Sequence, residues 1–248
     1  MVISSNTLFH FTNSIENLTN ILTNEFRPRY CLENTKNLFV ESGEFQHAFP
    51  MVCFCDLPLS KLEDHLDFYG DYGIGLKKEW GIKNGINPVL YLHGDSSLSR
   101  SIAVLTKNTF QVDKEQIYVI ESIFELLNYT KLYEGHVIKE GEEILKKFYD
   151  EKEWRWIPRR IENGKLKLNH LLKKDFEDPI KRSKANEIAS NSKLKFEPND
   201  IKYIIVSEEE EILPMLDSIA RIKGKYDAKT IKLLQSKVIS SNLIKTDF

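Results

Sequence analysis

The chain has 248 residues, 41% hydrophobic and 29% charged, and a formal net charge of −2. This composition is that of a globular protein long enough to bury a core, and it excludes a disordered chain. The small net charge gives no support for nucleic-acid binding, although a local basic patch would still allow it. No apolar run approaches the roughly 18 residues that cross a bilayer. The N-terminus does not resemble a secretion signal, so we expect a cytoplasmic protein without a membrane segment.

The first predicted strand is Leu8–Thr12, in which polar and aromatic residues alternate. Alternation places Phe9 and Phe11 on one face, which we expect to lie toward the core, and His10 on the other face. A helix follows, capped by Asn13 or Ser14. Its apolar stripe consists of Ile15, Leu18, Ile21 and Leu22. A lone histidine such as His10 is more often structural than catalytic.

Three cysteines occur, Cys31, Cys53 and Cys55, an odd number without the spacing of a disulfide framework. Together with His47 or His65 they could form a zinc site. The one residue between Cys53 and Cys55 is fewer than the two to four found in most zinc-binding pairs. The sequence therefore favours buried cysteines that act as small apolar residues, and we predict no metal site.

The middle of the chain contains an apolar strand, Met51–Cys55, an amphipathic segment, Leu59–Asp67, and the glycine-rich segment Phe68–Leu76. Within Tyr69–Gly75 there are three glycines and two tyrosines. Glycines allow close approach to the backbone, and tyrosine rings form a flat apolar wall, so this pattern predicts the floor of a pocket for a planar ligand. The alternative is a tight connection between strands whose tyrosines lie in the core.

The remaining elements follow from periodicity and turn residues. Helices are predicted at 96–109, 116–129, 142–149, 180–189 and 228–235, and a further helix is predicted to start after Ser207, which would cap it. Strands are predicted at 201–206 and 237–244. A hairpin is predicted to turn at Asn163-Gly164.

A late strand is predicted at Glu153–Ile157. Its alternation places Glu153 and Arg155 on one face and the two tryptophans, Trp154 and Trp156, on the other. We expect the tryptophans to anchor the strand in the core. The glutamate and arginine would then form either part of a functional site or an ordinary surface ion pair.

Three features resemble the histidine–tyrosine–glutamate arrangement of the ADP-ribosyltransferase fold: His10 in the first strand, the tyrosines of the glycine-rich segment, and Glu153 on a late strand. The opening strand and helix are similar to those of DNA-targeting ADP-ribosyltransferase toxins. The chain also resembles the AbiGi abortive-infection family over most of residues 7–158. That resemblance rests on the opening strand and helix, Arg27–Cys31, Met51–Pro58, Tyr69–Leu76 and Glu151–Arg155.

The transferase resemblance implies NAD as the cofactor. A carboxylate, Glu153 or in reserve Glu151, would stabilise the positive charge that develops on the ribose. The other implied contacts are His10 and Thr12 on the cofactor's ribose side, Tyr69 and Tyr72 against the nicotinamide, and Arg155, Arg27 or Arg29 at the pyrophosphate. Glu153, His10 and Tyr72 would form the catalytic set. The Glu-Trp-Arg sequence differs from that of the toxins and leaves the acceptor open.

The expected architecture is one α+β domain over residues 1–248, an ADP-ribosyltransferase-like split β-sheet core with helical insertions. Residues 1–160 would carry the NAD-binding core, and residues 161–248 a β/α extension that completes the sheet. The AbiGi resemblance implies phage defence as the antitoxin of a two-gene system. Two functions follow. The first is a defence protein with an NAD-dependent transferase or glycohydrolase site. The alternative is a non-enzymatic antitoxin, which would bind a cognate toxin or another defence protein or would repress the operon of the toxin.

Overall fold

The computed structural model describes residues 4–33, 46–109, 117–139, 141–159, 161–162, 165–166 and 170–247. The chain forms two compact units. The first consists of Met1–Arg27, Cys53–Asn87 and Lys193–Phe248, and the second of Pro28–Val52 and Pro88–Ser192. Each unit combines strands and helices, in agreement with the predicted α+β class. No described helix is long and apolar enough to cross a membrane.

The strands formed by the described residues, in chain order, are β1 (Thr7–Thr12), β2 (Arg29–Glu33), β3 (His47–Cys55), β4 (Tyr72–Lys77), β5 (Asn87–Pro88), β6 (Leu90–Leu92), β7 (Thr130–Leu132), β8 (Gly135–Lys139), β9 (Glu142–Lys146), β10 (Glu153–Trp156), β11 (Ile161–Glu162), β12 (Lys165–Leu166), β13 (Leu171–Leu172), β14 (Ile201–Val206) and β15 (Val238–Ser240). The helices are α1 (Ile15–Asn24), α2 (Glu63–Tyr69), α3 (Lys78–Lys83), α4 (Ser97–Thr109), α5 (Ile117–Asn128), α6 (Lys173–Glu177), α7 (Pro179–Ala189), α8 (Ile212–Ile222), α9 (Ala228–Gln235) and α10 (Ser241–Asp247). Short 3-10 turns precede α2, β10 and α8.

The first unit is built on a sheet in the order β15-β14-β4-β1, with the last residues of β3 beyond β1. Strand β1 is antiparallel to β4, and the register places His10 opposite Ile74 and Thr12 opposite Tyr72. Strands β14 and β15 are parallel, and the predicted β14 is confirmed residue for residue. The buried phenylalanines of β1 confirm the predicted core face of that strand.

The glycines of β4 are explained by packing against the neighbouring strand β1. A Cβ atom on Gly73 would lie 2.7 Å from Cδ1 of Phe11, and one on Gly75 would lie 2.8 Å from Cε1 of Phe9. The two phenylalanine rings stack on each other with centroids 5.9 Å apart. The glycines therefore leave room for the core rings of the neighbouring strand.

Helix α1 begins as predicted. The side chain of Ser14 caps it by accepting a hydrogen bond from the backbone of Asn17, and Leu18 and Leu22 are buried on its inner face. The predicted helix after Ser207 starts as the 3-10 turn Glu209–Glu211 and continues as α8 from Ile212. Glu208 rather than Ser207 caps the turn, in a reciprocal capping box with Glu211.

In the second unit, β2 and β13 each pair in antiparallel fashion with β3, and β6 pairs in parallel with β7. Strands β11 and β12 form the predicted hairpin; its turn residues, Asn163 and Gly164, lie outside the described residues. A separate core of Leu92, Ile102, Phe124 and Leu127 lies beneath α4 and α5.

Two predicted elements are wrong. Residues 142–149 were predicted as a helix, but Glu142–Lys146 is strand β9, which pairs with β8 across a turn at Gly141, where φ is +88°. The last predicted strand, 237–244, ends at Ser240 and continues as helix α10. In β9, pairing with β8 overrides the helical pattern of the sequence. In the predicted strand 237–244, the residues after Ser240 form helix α10 instead.

Candidate functional site

Strand β10 exposes the opposite face from the one predicted. Glu153 is 6% exposed and Arg155 is 0% exposed, whereas Trp154 and Trp156 are only partly buried. The expected alternation is present, but the charged face is the inner one. The interpretation of Glu153 and Arg155 as a surface ion pair is therefore wrong.

Glu153 and Arg155 belong to a group of side chains that we call the charge cluster. It comprises Glu33, Lys131, Lys146, Glu151, Glu153 and Arg155. These side chains come from β2, β7, β9, the 3-10 turn before β10, and β10 itself. All of them lie in the second unit.

Arg155 lies at the centre of the charge cluster. Its Nε donates to Oε1 of Glu153 at 2.7 Å, and one terminal nitrogen donates to Oε1 of Glu33 at 2.9 Å. The other terminal nitrogen donates to the backbone carbonyl oxygen of Asn128 at 2.8 Å. The guanidinium is thus fixed by three different elements, which is the geometry that its planar fork favours.

Lys131 bridges two carboxylates. Its Nζ donates to Oε2 of Glu151 and to Oε2 of Glu153, both at 2.6 Å. The chain reverses between these glutamates at Lys152, which adopts a left-handed conformation with φ 46° and ψ 49°. That turn allows carboxylates two residues apart to reach one ammonium group. Lys146 completes the arrangement by donating to Oε1 of Glu151 at 2.8 Å.

The charge cluster is internally neutral. It contains three carboxylates, Glu33, Glu151 and Glu153, and three cations, Lys131, Lys146 and Arg155. A buried charge is tolerated when it is paired and hydrogen-bonded, and removal of one partner leaves the others uncompensated. The cluster therefore ties several short strands of the second unit together.

The protonation states follow from these contacts. Burial alone would raise the pKa of Glu153, but Arg155 and Lys131 hold that pKa well below its usual range. Burial disfavours the ammonium form of Lys131, yet Glu153 and Glu151 raise its pKa above the ordinary value. Both groups are charged at neutral pH, and both carboxylate oxygens of Glu153 accept hydrogen bonds from cations.

The described residues contain no group of three or more histidine, cysteine, aspartate or glutamate side chains placed to hold an ion. Burial, followed by the nearby Glu33, raises the pKa of the Cys31 thiol to about 11. A thiol with that pKa is protonated at neutral pH.

His10 lies on β1 within the first unit. Its Nδ1 is 2.8 Å from the backbone carbonyl oxygen of Cys53, and its ring packs against Phe26 and Phe54 at 5.2 and 5.8 Å between centroids. Burial lowers the pKa of His10, partly offset by the bond to Cys53, so the ring is neutral at pH 7 and donates through Nδ1. These contacts are those of a structural histidine.

The predicted cofactor residues Thr12, Tyr69 and Tyr72 also lie in the first unit. The phenolic oxygen of Tyr72 donates to Oε1 of Glu211 at 2.8 Å. Burial, followed by that bond, raises the pKa of Tyr72 to about 12. Tyr69 is 37% exposed, and the hydroxyl of Thr12 accepts a hydrogen bond from Asn17.

The predicted site residues are divided between the two units. His10, Thr12, Tyr69 and Tyr72 belong to the first, and Arg29, Glu153 and Arg155 to the second. The structure brings Thr12 and Tyr72 together by strand register and joins Glu153 to Arg155. Within the chain, Nδ1 of His10, the phenolic oxygen of Tyr72 and both carboxylate oxygens of Glu153 each have a hydrogen-bond partner.

Three members of the charge cluster were not predicted from the sequence: Glu33, Lys131 and Lys146. Glu33 pairs with Arg155 from 122 positions away, and Lys131 pairs with Glu153 from 22 positions away. No local pattern in the sequence indicates these pairings, because only the fold brings the partners together.

Comparisons with known proteins identify the family. A family model described as "Putative abortive phage resistance protein AbiGi, antitoxin" matches residues 24–207. The chain belongs to the AbiGi family. An AbiGi relative, the abortive phage resistance protein AbiGi of Lactococcus lactis subsp. cremoris, is 33% identical over 248 residues, covering 90% of this chain and 97% of the relative. No solved structure matches, so the ADP-ribosyltransferase-like split sheet stays a prediction.

Proposed function

We propose that this protein acts in abortive phage resistance as an antitoxin that binds a cognate toxin. The family description and the name of the relative support the proposal at the level of the system. The observation that supports a non-catalytic function is that both carboxylate oxygens of Glu153 are already hydrogen-bonded within the chain. Its two carboxylate oxygens are bonded to Lys131 and Arg155 at 2.6 and 2.7 Å.

A catalytic carboxylate must be able to face the charge that develops in its substrate. In the charge cluster that role would require Glu153 to give up a buried cation, and the cost of an uncompensated buried charge is about 3–5 kcal/mol. A cluster that is fully paired instead stabilises a scaffold. The antitoxin function then depends on surface complementarity with the partner.

The test is co-expression with the product of the adjacent gene. That product expressed alone should arrest growth, and this protein should relieve the arrest and co-purify with it. Tyr72→Phe serves as a matched control, because it removes a hydroxyl from a predicted cofactor residue and leaves the ring in place. We expect Tyr72→Phe to relieve the arrest as well as the wild type does. Relief without any physical complex, or no relief, would contradict the proposal.

An NAD-dependent reaction is the second candidate. It is favoured by the placement of His10 and Thr12 on one face of β1, with Tyr72 opposite Thr12 in β4. It is opposed by the hydrogen bonds that Nδ1 of His10, the hydroxyl of Tyr72 and the carboxylate of Glu153 already make within the chain.

This candidate is tested by incubating the purified protein with NAD and measuring the release of nicotinamide. Catalysis would require release by the wild type and a loss of several orders of magnitude in Glu153→Gln. Equal release by both proteins would remove Glu153 from the reaction. No release by a folded protein, with and without the partner, would reject the candidate.

A further inference from the structure

Helices α8 and α9 of the first unit lie side by side and form a helical hairpin. The side-chain amide of Gln235 in α9 donates to the backbone carbonyl oxygen of Leu216 in α8 at 2.9 Å, and residues 223–227 connect the two helices. Met215 and Leu234 are buried on the inner sides of the hairpin. The exposed side chains of the hairpin are therefore available to a ligand.

The end of the hairpin that contains the connecting loop is basic. Residues 221–232 contain five basic residues and one acidic residue, in a chain whose formal net charge is −2. Four of the basic side chains are exposed, and we call them the basic patch: Arg221 at the end of α8, Lys225 in the loop, and Lys229 and Lys232 on α9. The small net charge of the whole chain therefore coexists with a local concentration of positive charge.

The basic patch is not neutralised by ion pairs. Within the described part of the chain, none of its four side chains pairs with a carboxylate. Arg221 donates to the hydroxyl of Ser218 at 3.4 Å, and Nζ of Lys225 lies 5.1 Å from the ring centre of Tyr226. Asp217, exposed one turn before Arg221 on α8, offsets part of the charge. The patch keeps a net positive charge.

Two further carboxylates near the loop are engaged within the chain. Asp227 caps α9 by accepting hydrogen bonds from the backbone N–H and the hydroxyl of Thr230, at 3.0 and 2.6 Å. Glu197 accepts a hydrogen bond from the hydroxyl of Tyr226. Both acids thus have a role in the fold of the loop.

Lys223, the fifth basic residue, belongs to the fold and not to the patch. Its Nζ donates to the backbone carbonyl oxygen of Leu22 at 2.6 Å. Burial, followed by the neighbouring Lys225, lowers the pKa of Lys223, and Glu197 and Glu25 partly offset this effect. These two carboxylates therefore lie beside a cation that is already fixed in the structure.

The acidic run Glu208–Glu211 lies at the opposite end of α8. Glu211 and Arg221 are separated by about 15 Å along the helix, at about 1.5 Å per residue. That distance exceeds the Debye length of about 8 Å at physiological ionic strength. The acidic run therefore does not cancel the field of the basic patch.

We propose that the basic patch binds the phosphate backbone of duplex DNA. Surfaces rich in exposed lysine and arginine are typical of nucleic-acid interfaces, whereas lysine is depleted at protein–protein interfaces. Single strands are bound largely by aromatic side chains that stack on the bases. The patch contains no aromatic residue, and the hydroxyl of the neighbouring Tyr226 is bonded to Glu197, so the patch fits a duplex.

The exposed side of α9 favours DNA over RNA. Lys229 lies one turn before Lys232 and Leu233, so the three side chains share that side, and Leu233 is 53% exposed. A helix with its side chains is about 10–12 Å wide and fits the major groove of B-DNA, which is about 12 Å wide. The major groove of duplex RNA is too deep and narrow for a helix. In DNA, the lysines contact phosphates and base edges, and Leu233 contacts thymine methyl groups.

The test is fluorescence anisotropy with the full chain and a labelled DNA duplex of about 20 base pairs, at about 50 and about 200 mM salt. Non-specific dissociation constants are about 10⁻⁴–10⁻⁶ M at physiological salt, so the protein is titrated to about 200 μM. Four phosphate contacts should weaken binding roughly 100-fold between the two salt concentrations.

Two double variants test the patch. Lys229→Gln combined with Lys232→Gln should weaken binding at the lower salt at least about tenfold and should halve the slope of log affinity against log salt, because half of the contacts are lost. Arg221→Gln combined with Lys225→Gln should have a similar effect. It also replaces the first variant if circular dichroism shows that the first does not fold.

Lys174→Gln combined with Lys184→Gln is the matched control. Both lysines are exposed on helices of the second unit, and the same number of charges is lost. The control should bind the duplex as the wild type does. Equal losses in the control and the patch variants would overturn the proposal, because binding would then depend on net charge alone.

The choice of ligand is tested with duplex RNA and single-stranded DNA of the same length. Both should bind at least about fivefold more weakly than duplex DNA. Equally tight binding of either probe would reject duplex DNA as the ligand of the patch. Failure of the wild type to bind duplex DNA at the lower salt would also overturn the proposal.

An acidic surface on a partner protein is the remaining outcome, so the patch variants are also co-expressed with the adjacent gene product. If they lose that complex and the wild type does not bind duplex DNA, the patch belongs to the partner, and DNA binding is rejected. Conversely, duplex DNA binding by a wild type that does not co-purify with the adjacent gene product would support the DNA site and contradict the antitoxin proposal.

Discussion

Glu153 and Arg155 lie two residues apart on β10, and Nε of the arginine donates to Oε1 of the glutamate at 2.7 Å inside the protein. Arg155 is among the largest fully buried side chains of the described residues. A charged residue is rarely buried to that extent unless all of its donors are used. The pair is therefore the centre of the second unit's polar interior, and its removal has predictable consequences.

Substitution of Arg155 by alanine should destabilise the protein strongly. Glu153 and Glu33 would lose a cation that lies 2.7 and 2.9 Å away, and the carboxylate of Glu153 would remain buried. Breaking a buried pair in this way lowers the free energy of unfolding by about 3–5 kcal/mol. Urea denaturation at neutral pH, followed by circular dichroism, measures the loss.

Arg159→Ala provides the control for that measurement. Arg159 also pairs with a glutamate, Glu125 at 2.7 Å, but its side chain is 72% exposed. An exposed pair contributes about 0–1 kcal/mol. Similar losses in the two variants would show that burial of the charge cluster does not matter for stability.

Gly75→Ala should destabilise the first unit. The new Cβ would lie 2.8 Å from Cε1 of Phe9 and 2.9 Å from Cγ2 of Thr7, both closer than real contacts allow. Phe9 cannot move freely, because it is 1% exposed and stacked on Tyr203 with centroids 5.7 Å apart. Overpacking of this kind costs about 1–3 kcal/mol of unfolding free energy, which thermal or urea denaturation detects.

A double-mutant cycle isolates the cause of that loss. Phe9→Leu removes the ring atoms that the new methyl group would meet. The combination with Gly75→Ala should therefore cost less than the sum of the two single changes. Additive losses would mean that the glycine is required for another reason.

The sequence predicted the elements whose signals are local. The alternation of Leu8–Thr12, the cap at Ser14 and the β-branched run of Ile201–Val206 each specify a structure within a few residues, and all three are confirmed. Strand β9 was mistaken for a helix because Ile144, Leu145 and the aromatics after them follow a helical spacing, although its pairing partner β8 ends at Lys139, directly before the turn.

The charge cluster could not be predicted because its members are far apart in the sequence. Hydrophobicity favours tryptophan over arginine as the buried residue of β10, and that preference holds unless counter-charges are present. Here they come from Glu33 and Lys131, which only the tertiary structure brings to Arg155 and Glu153. The glycines of β4 likewise acquired a meaning only when Phe9 and Phe11 were found above them.

Stability should fall between pH 6.5 and about 4, and His170 should contribute to the fall. Burial, followed by the nearby His47, lowers the pKa of His170 to about 4. An unfolded histidine has a pKa of about 6.5, so the unfolded chain binds the proton first as the pH decreases. Above pH 6.5, His170 is neutral in both states and does not lower the unfolding free energy. As the pH falls to about 4, its titration lowers the unfolding free energy by up to about 3 kcal/mol.

Urea midpoints measured at half-unit steps of pH check this prediction. His170→Gln should flatten the dependence between pH 6.5 and 4. His136→Gln is the control, because the side chain of His136 is 64% exposed. The same pH dependence in His170→Gln and the wild type would rule out His170 as a source of the effect.

Glu25→Gly should stabilise the protein, in contrast to most substitutions. Glu25 ends helix α1 with φ 69° and ψ 174°, a conformation that is essentially restricted to glycine. Relief of about 1–3 kcal/mol of backbone strain exceeds the roughly 0.5–1 kcal/mol of extra chain entropy that glycine loses on folding. The backbone N–H of residue 25 keeps its 2.9 Å bond to the carbonyl oxygen of Ile21.

Thermal denaturation should show a higher midpoint for Glu25→Gly. Glu16→Gly within the same helix is the control: it should lower the unfolding free energy by about 0.5–1 kcal/mol and so lower the midpoint. A loss of stability in Glu25→Gly would mean that contacts of the Glu25 side chain outweigh the strain of its backbone.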